Sequence, residues 1–174
     1  FHSNDARGAT ITVDPVTGQP ANRVTPLARA TGAEFGVRTI RIPRMQMTLS
    51  ALTLGLDSEL VFVGDAGTTQ PGRPSRRRGL EWTTYYAPKR WLILDADAAV
   101  SDARFTDADP AGNHIPGAVA TVVSAGATLE SWRRFSGSMR WRYFGPRPLV
   151  EDSTVRAKTT SLVNLTAGYT LTSS

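Results

Sequence analysis

Residues 131–145 read SWRRFSGSMRWRYFG, and the chemistry alternates from Phe135 onward. Phe135, Gly137, Met139, Trp141 and Tyr143 fall on one parity. Arg134, Ser136, Ser138, Arg140 and Arg142 fall on the other. A period of two is that of an extended strand, whose successive side chains point to opposite faces. A sheet packed on a core usually shows water small and polar residues. A face this rich in arginine, backed by one this apolar, suits a barrel wall between lipid and an aqueous lumen.

The pattern recurs along the chain. Over residues 30–40, Ala33, Phe35, Val37 and Thr39 oppose Glu34, Gly36 and Arg38. Over 78–87, Leu80, Trp82, Thr84 and Tyr86 oppose Gly79, Glu81, Thr83 and Tyr85. Over 91–101, Leu92, Leu94, Ala96, Ala98 and Val100 oppose Asp95, Asp97, Ala99 and Ser101. Residues 121–130 and 159–171 alternate likewise. Residues 45–63 form the longest candidate, with Leu52, Leu54, Leu56, Leu60 and Phe62 against Thr53, Gly55, Asp57, Glu59 and Val61. Met47 and Leu49 are out of phase with that set, and a bulge near Ser50 would reconcile them. Residues 1–7 read as the end of a further strand.

The connections alternate in length. Turns at 41–44, 88–90 and 131–133 are short; 8–27, 64–77, 102–118 and 146–157 are long and rich in Gly, Pro, Asp and Thr. All long loops at one end is the arrangement of an up-and-down transmembrane barrel. Tyr86, Trp91, Trp132, Phe135 and Tyr169 fall toward the short-turn end. Phe62, Trp82, Phe105, Trp141 and Tyr143 fall toward the long-loop end, so two aromatic girdles are expected. The fold predicted is an all-β antiparallel meander of about seven or eight long strands. On this reading the carboxylates and arginines that face the lumen are Glu34, Arg38, Asp57, Glu59, Glu81, Asp95, Asp97, Arg140 and Arg142.

Composition narrows the alternatives. Mean hydropathy is -0.22, and no run approaches the ~20 apolar residues a spanning helix needs. There is no cysteine, hence no disulfide or thiolate metal site. The net charge of +5 and pI near 10.2 raise nucleic acid as a partner. Against it, only Lys89 and Lys158 among the basic residues are lysine, and the arginines are dispersed. The exception is the run Arg76, Arg77 and Arg78, expected at a loop–strand junction. There it could contact lipopolysaccharide phosphates or an anionic chelate. No signal peptide opens these residues, so for an exported protein the beginning is expected elsewhere.

Catalytic signals are weak. His2 and His114 are far apart, and no G-x-S-x-G, H-E-x-x-H or P-loop occurs. Asp95 and Asp97 resemble an acid–base pair, but on a strand they share a face and read as lumen lining near Arg140 and Arg142. Asp107, Asp109 and Gly112 faintly echo a calcium loop that lacks its remaining ligands. No catalytic, cofactor or metal residue is expected.

Six segments carry a family resemblance: FHSNDARG at 1–8, DSELVFVGDAGTT at 57–69, SRRRGLEW at 75–82, DARFTD at 102–107, HIPGA at 114–118 and RYFGPRPLVED at 142–152. They resemble, in order, the second half of the barrel of TonB-dependent outer-membrane receptors. The resemblance implies that the 174 residues are an open, curled part of a 22-stranded transmembrane barrel, in the bacterial cell outer membrane. It implies energised uptake of a scarce solute such as a siderophore–iron complex or cobalamin, past an N-terminal plug. Implied partners are outer-membrane lipid and lipopolysaccharide, the small-molecule ligand, and the TonB complex through a missing N-terminal region. Neither a plug nor a closing strand with a terminal aromatic residue is present in the sequence. Two other readings are a soluble β-sandwich or small barrel binding carbohydrate or lipid, and an outer-membrane enzyme barrel.

Overall fold

The computed structural model describes residues 2–3, 16–17, 27–58, 60–63 and 68–171. Seven long strands form one antiparallel sheet in chain order: β1 (Ala30–Thr39), β2 (Met45–Leu56), β3 (Ser75–Lys89), β4 (Leu92–Phe105), β5 (Thr121–Trp132), β6 (Phe135–Phe144) and β7 (Thr160–Tyr169). Every strand pairs with its sequence neighbour, so the sheet is a meander, open between β1 and β7. Three short ladders decorate it: His2–Ser3 with Leu27–Ala28, Leu60–Val63 with Thr68–Pro71, and Arg147–Pro148 with Arg156–Ala157. Among the described residues there is no helix, and so none that could cross a membrane.

The register explains the alternation. One line of directly opposed residues runs Val37, Leu49, Trp82, Ala98, Val123, Tyr143 and Ser161 across all seven strands. Two residues away on the same face runs Thr39, Met47, Thr84, Ala96, Ala125, Trp141 and Val163. The line between them, on the opposite face, is Arg38, Thr48, Thr83, Asp97, Ser124, Arg142 and Leu162. A one-residue slip anywhere would exchange the faces of a strand, so a common register is what keeps each face chemically uniform.

The apolar face is not packed against protein. Among the described residues only Phe105 and Ile115 are buried hydrophobics, and both lie toward the loops. Phe35 is 74% exposed and Leu165 73%, while Val37, Leu49, Leu80 and Val163 are each more than half exposed. A β-sandwich buries one face of each sheet on the other; among the described residues no second large sheet covers either face of this one. Counted from Leu92 to Val100 on β4, the apolar band extends about 27 Å along the strand, or about 21 Å of height at a 40° tilt. That approaches the ~25 Å band of outer-membrane barrels.

Several expectations need correction. β2 runs without a register break from Met45 to Leu56 against both neighbours, so there is no bulge near Ser50. Met47 and Leu49 belong to the apolar face, and Leu52 and Leu54 lie on the polar one. Strand β3 starts at Ser75 and β4 ends at Phe105, so Arg76 and Arg77, like Asp102 to Arg104, are strand residues rather than loop. The register shifts that do occur lie beside the short turns, between Tyr86 and Lys89 and between Phe135 and Gly137.

The short turns occupy residues 40–44, 90–91 and 133–134. In the first, Met45 N–H donates to the Ile42 carbonyl at 3.0 Å, with Pro43 and then Arg44 at φ 62° inside the turn. Aromatic rings gather at this end: Trp91 lies 5.6 Å from Trp132, and Phe135 lies 4.9 Å from Tyr169. Toward the other end Trp141 lies 6.2 Å from Tyr143. Phe105 does not join that second girdle; its parity places it on the polar face, where loops cover it. The Phe62 side chain lies outside what the structure describes.

Both edge strands are exposed over nearly their whole length. An uncovered edge presents unpaired backbone groups to any other strand. The 174 residues expressed alone are therefore expected to associate, and size-exclusion chromatography without detergent should give oligomers; a stable soluble monomer would contradict this.

Candidate functional site

Two constellations stand out: the polar face of the sheet, and a cap built by the long loops over its end. On the polar face, successive lines bring together Glu34, Arg38, Glu81, Asp95, Asp97, Arg140 and Arg142. Two of the remaining candidates do not join them. Asp57 lies one residue past β2, in the parity of Leu49, Ala51 and Thr53, with its N–H donating to the Arg29 carbonyl at 3.0 Å. Glu59 lies outside the described residues.

The centre of the polar face is an ion pair two strands wide. Asp95 on β4, Gly126 on β5 and Arg140 on β6 form one line. The Arg140 guanidinium passes over Gly126 and grips the Asp95 carboxylate with Nη2 to Oδ1 at 2.9 Å and Nη1 to Oδ2 at 2.8 Å. Nη1 also donates to Ser124 Oγ at 3.2 Å. A two-pronged guanidinium–carboxylate contact is the strongest geometry such a pair has. It exists here because Gly126 has no side chain: a Cβ there would stand 2.6 Å from Asp95 Oδ1 and 2.9 Å from Arg140 Nη2. Around it Arg142 donates to Asn164 Oδ1 at 3.4 Å, and Arg38 donates to Gln46 Oε1. The result is a ladder of fixed charges and amide groups with no hydrophobic cover.

Leucines on this face were not legible as such. Leu52 packs over Gly79 and Leu54 over Gly32, each glycine on a neighbouring strand leaving room for the branched side chain. Those glycines, read together with the leucines, are the sequence signal that would have placed both on the polar side.

Arg73 organises the loop cap. Its Nε donates to the Asp107 carboxylate at 2.9 Å, and its Nη1 donates to the Gly112 carbonyl at 2.8 Å and Glu151 Oε2 at 2.5 Å. The guanidinium lies 4.5 Å above the Phe105 ring. One side chain thus ties the loop before β3 to the loops that follow β4 and β6. Backbone bonds reinforce the tie: Thr106 N–H to the Pro74 carbonyl, His114 N–H to that of Glu151, and Gly117 N–H to that of Pro148, at 2.8–3.0 Å. Gly112 sits at φ 111° with its Cα directed against the Glu151 backbone, a position no side chain can share. The His114 ring is held in place from both nitrogens, with Nε2 2.6 Å from Arg104 Nη1 and Nδ1 3.2 Å from the Glu151 carbonyl. The acidic stretch that echoed a calcium loop is organised by an arginine instead, because Asp107 is taken up by Arg73 and Asp109 caps the Ala111 N–H at 2.8 Å.

The hydrogen bond and charge from Arg73 hold the Asp107 carboxyl below its ordinary range, and the N–H and hydroxyl of Thr154 do the same for Asp152. Each folded-state pKa lies below its unfolded value of about 3.9. Their contribution to loop order is therefore complete above that value and is lost as pH falls through the lower, folded values. Hydrogen exchange, corrected for intrinsic rates, is expected to show the His114 amide protected from neutrality to about pH 4 and released at lower pH. Arg73→Met should release it at every pH.

No group of three potential metal-binding side chains comes together among the described residues. Sequence comparison is silent: no family model matches the chain, and no curated protein does. Structure comparison is not. The ferric preacinetobactin receptor BauA from Acinetobacter baumannii superposes with a TM-score of 0.66 at 16% identity, covering 92% of this chain. The ferric yersiniabactin uptake receptor FyuA from Yersinia pestis gives 0.68 at 14% over 82%, and the copper transporter OprC 0.66 at 17% over 90%. These neighbours are TonB-dependent receptors. The chain has the barrel fold of TonB-dependent receptors. It spans about a quarter of each, 24%, 22% and 24% of their lengths. The meander, open between β1 and β7, has the up-and-down strand order of a barrel wall.

Proposed function

We propose that these 174 residues are part of the barrel of an outer-membrane receptor that takes up a scarce solute, with the apolar face against lipid and the polar face lining the aqueous lumen. The observation that carries this reading is the segregation of apolar and charged side chains to opposite faces across the middle of seven strands, with no protein core on either side among the described residues. The lumen lining is then Glu34, Arg38, Glu81, Asp95, Asp97, Arg140 and Arg142, and the Arg73 cap belongs to the external loops that meet the ligand. The role is transport, with no covalent step assigned to any side chain of the chain.

The cargo class is supported by what the fold neighbours are named for: two ferric siderophore receptors and a copper transporter. A metal chelate, a metal ion or cobalamin fits a passage lined by charges of both signs. Energy would come from the TonB complex, reached through a region outside these residues. The whole receptor in its own outer membrane tests this. Under iron, copper or cobalamin starvation, uptake of the missing solute should depend on the receptor and stop when the inner-membrane proton gradient is collapsed. Uptake of none of the three, or uptake indifferent to the gradient, would contradict the proposal.

A further inference from the structure

Two neighbouring lines of the polar face use the same three strands with opposite outcomes. In one, Asp95, Gly126 and Arg140 form the closed ion pair. In the next, two residues toward the long loops, stand Asp97 on β4, Ser124 on β5 and Arg142 on β6. A carboxylate and a guanidinium again share a line across one intervening strand, but this pair does not close. Asp97 has no ion pair or side-chain hydrogen bond among the described residues. Arg142 donates instead to Asn164 Oδ1 at 3.4 Å, on β7, the strand on its far side from Asp97. The residue between decides the outcome. Arg140 reaches Asp95 by crossing Gly126, where a Cβ would stand 2.6 Å from the carboxylate. Ser124 has that Cβ, and its hydroxyl is fixed by accepting from Arg140 Nη1 at 3.2 Å.

The surroundings sharpen the polarity. Glu81 lies diagonal to Asp97, two residues along β3 from its direct partner Thr83, a separation of about 7–8 Å. It is exposed and, like Asp97, has no ion pair among the described residues. Asp95 is already neutralised by Arg140. Arg38 shares the line of Asp97 but lies three strands away and donates to Gln46. This part of the polar face thus has two uncompensated carboxylates on β3 and β4 and a guanidinium on β6, with the backbones of β4 and β6 about 10 Å apart.

We propose that this open pair binds a zwitterionic group of the amino-acid type on the cargo, with its ammonium on Asp97 beside Glu81 and its carboxylate on Arg142. The inference rests on the reading that the polar face lines the passage. A bare metal cation would satisfy the carboxylates and leave Arg142 unmatched, and a purely anionic chelate would do the reverse. One group carrying both charges matches both ends at once. An ammonium brings three donors to the two carboxylates, and a guanidinium suits a carboxylate through paired N–H donors.

The test uses the whole receptor in detergent micelles, with γ-aminobutyrate as the probe and saturation-transfer NMR as the readout. Butyrate and butylammonium, each carrying one of the two charges, should bind about tenfold more weakly or worse. Asp97→Asn and Arg142→Gln should each weaken binding of the zwitterion about tenfold or more. Ser124→Gly keeps both charges and removes the obstacle, so Arg142 should close on Asp97 and binding should fall as far as in Arg142→Gln. Ser124→Ala keeps the Cβ and should weaken binding by about threefold at most, while unaltered heat-modifiability on gels shows that the barrels are folded. Equal binding of the zwitterion and either half, or unaltered binding by Ser124→Gly, would overturn the proposal. A charged maleimide on Ala99→Cys separates the two levels. Labelling from water without zwitterion binding sinks the site alone, whereas no labelling sinks the lumen assignment beneath it.

Discussion

Arginine in place of Ala96 is expected to destabilise the barrel by about 2–4 kcal/mol, the penalty for a guanidinium at the bilayer midplane on the lipid side of a barrel. Ala96 lies in the middle of the apolar band on β4, between Thr84 and Ala125 on the neighbouring strands. The matched control is Ala99, three residues along the same strand but on the opposite face, between Glu81 and Val122. There an arginine meets water and a carboxylate, and the change should stay within about 0.5 kcal/mol. Urea unfolding in phospholipid vesicles measures both. The two alanines lie close together on one strand and on opposite faces, so a small difference between them would leave the assignment of faces without support.

The second large effect is expected at Gly126. Valine there puts a branched side chain into the space through which Arg140 reaches Asp95. The pair must open, and two charges fixed by each other become independent. Because Arg140 is partly exposed, the lost attraction is worth about 1 kcal/mol, and crowding of the line adds to it. The functional consequence should be larger than the energetic one. On the proposed lumen side, a closed ion pair presents little net field, whereas separated charges present an anion on β4 and a cation on β6. Conductance of the whole receptor freed of whatever fills its lumen is expected to change in ion selectivity for Gly126→Val and not for Gly126→Ser paired with Arg140→Gln and Asp95→Asn. Identical selectivity in all variants would mean that the pair does not face the passage.

Much of this was legible in the sequence because a barrel wall writes its two environments at alternate residues. Strands β1, β3, β4, β5, β6 and β7 declare their faces wherever one parity is apolar and the other charged, as at Asp95 and Asp97 between Leu94, Ala96 and Ala98. β2 departs from this because leucine marks apolar character and not a particular face. Leu52 and Leu54 are apolar for another reason: they fill the space over glycines of the adjacent strands on the polar face. Periodicity within one strand carries no information about its neighbours' side chains, so the phase of β2 could be fixed only through pairing.

The ends of the strands were the other casualty. A run of three arginines has no alternation in it, so Arg76 and Arg77 read as loop and only Arg78 as strand, although all three are paired on both sides. The Arg73 clasp left no trace at all. Arg73 sits between Gly72 and Pro74 in a stretch without periodicity, and its partners lie 34 and 78 residues away. Contacts of that kind depend on the meander bringing the loop ends together, and they become visible only once the strand order is known.

All of the account depends on which face of the sheet is wet. Cysteines placed singly at Ala96, Asp97, Ala98 and Ala99 of the whole receptor in native membranes test this most directly, using a charged, membrane-impermeant maleimide. Labelling should alternate, with Asp97→Cys and Ala99→Cys reacting from water and Ala96→Cys and Ala98→Cys shielded. Uniform labelling, or alternation in the opposite phase, would contradict the account.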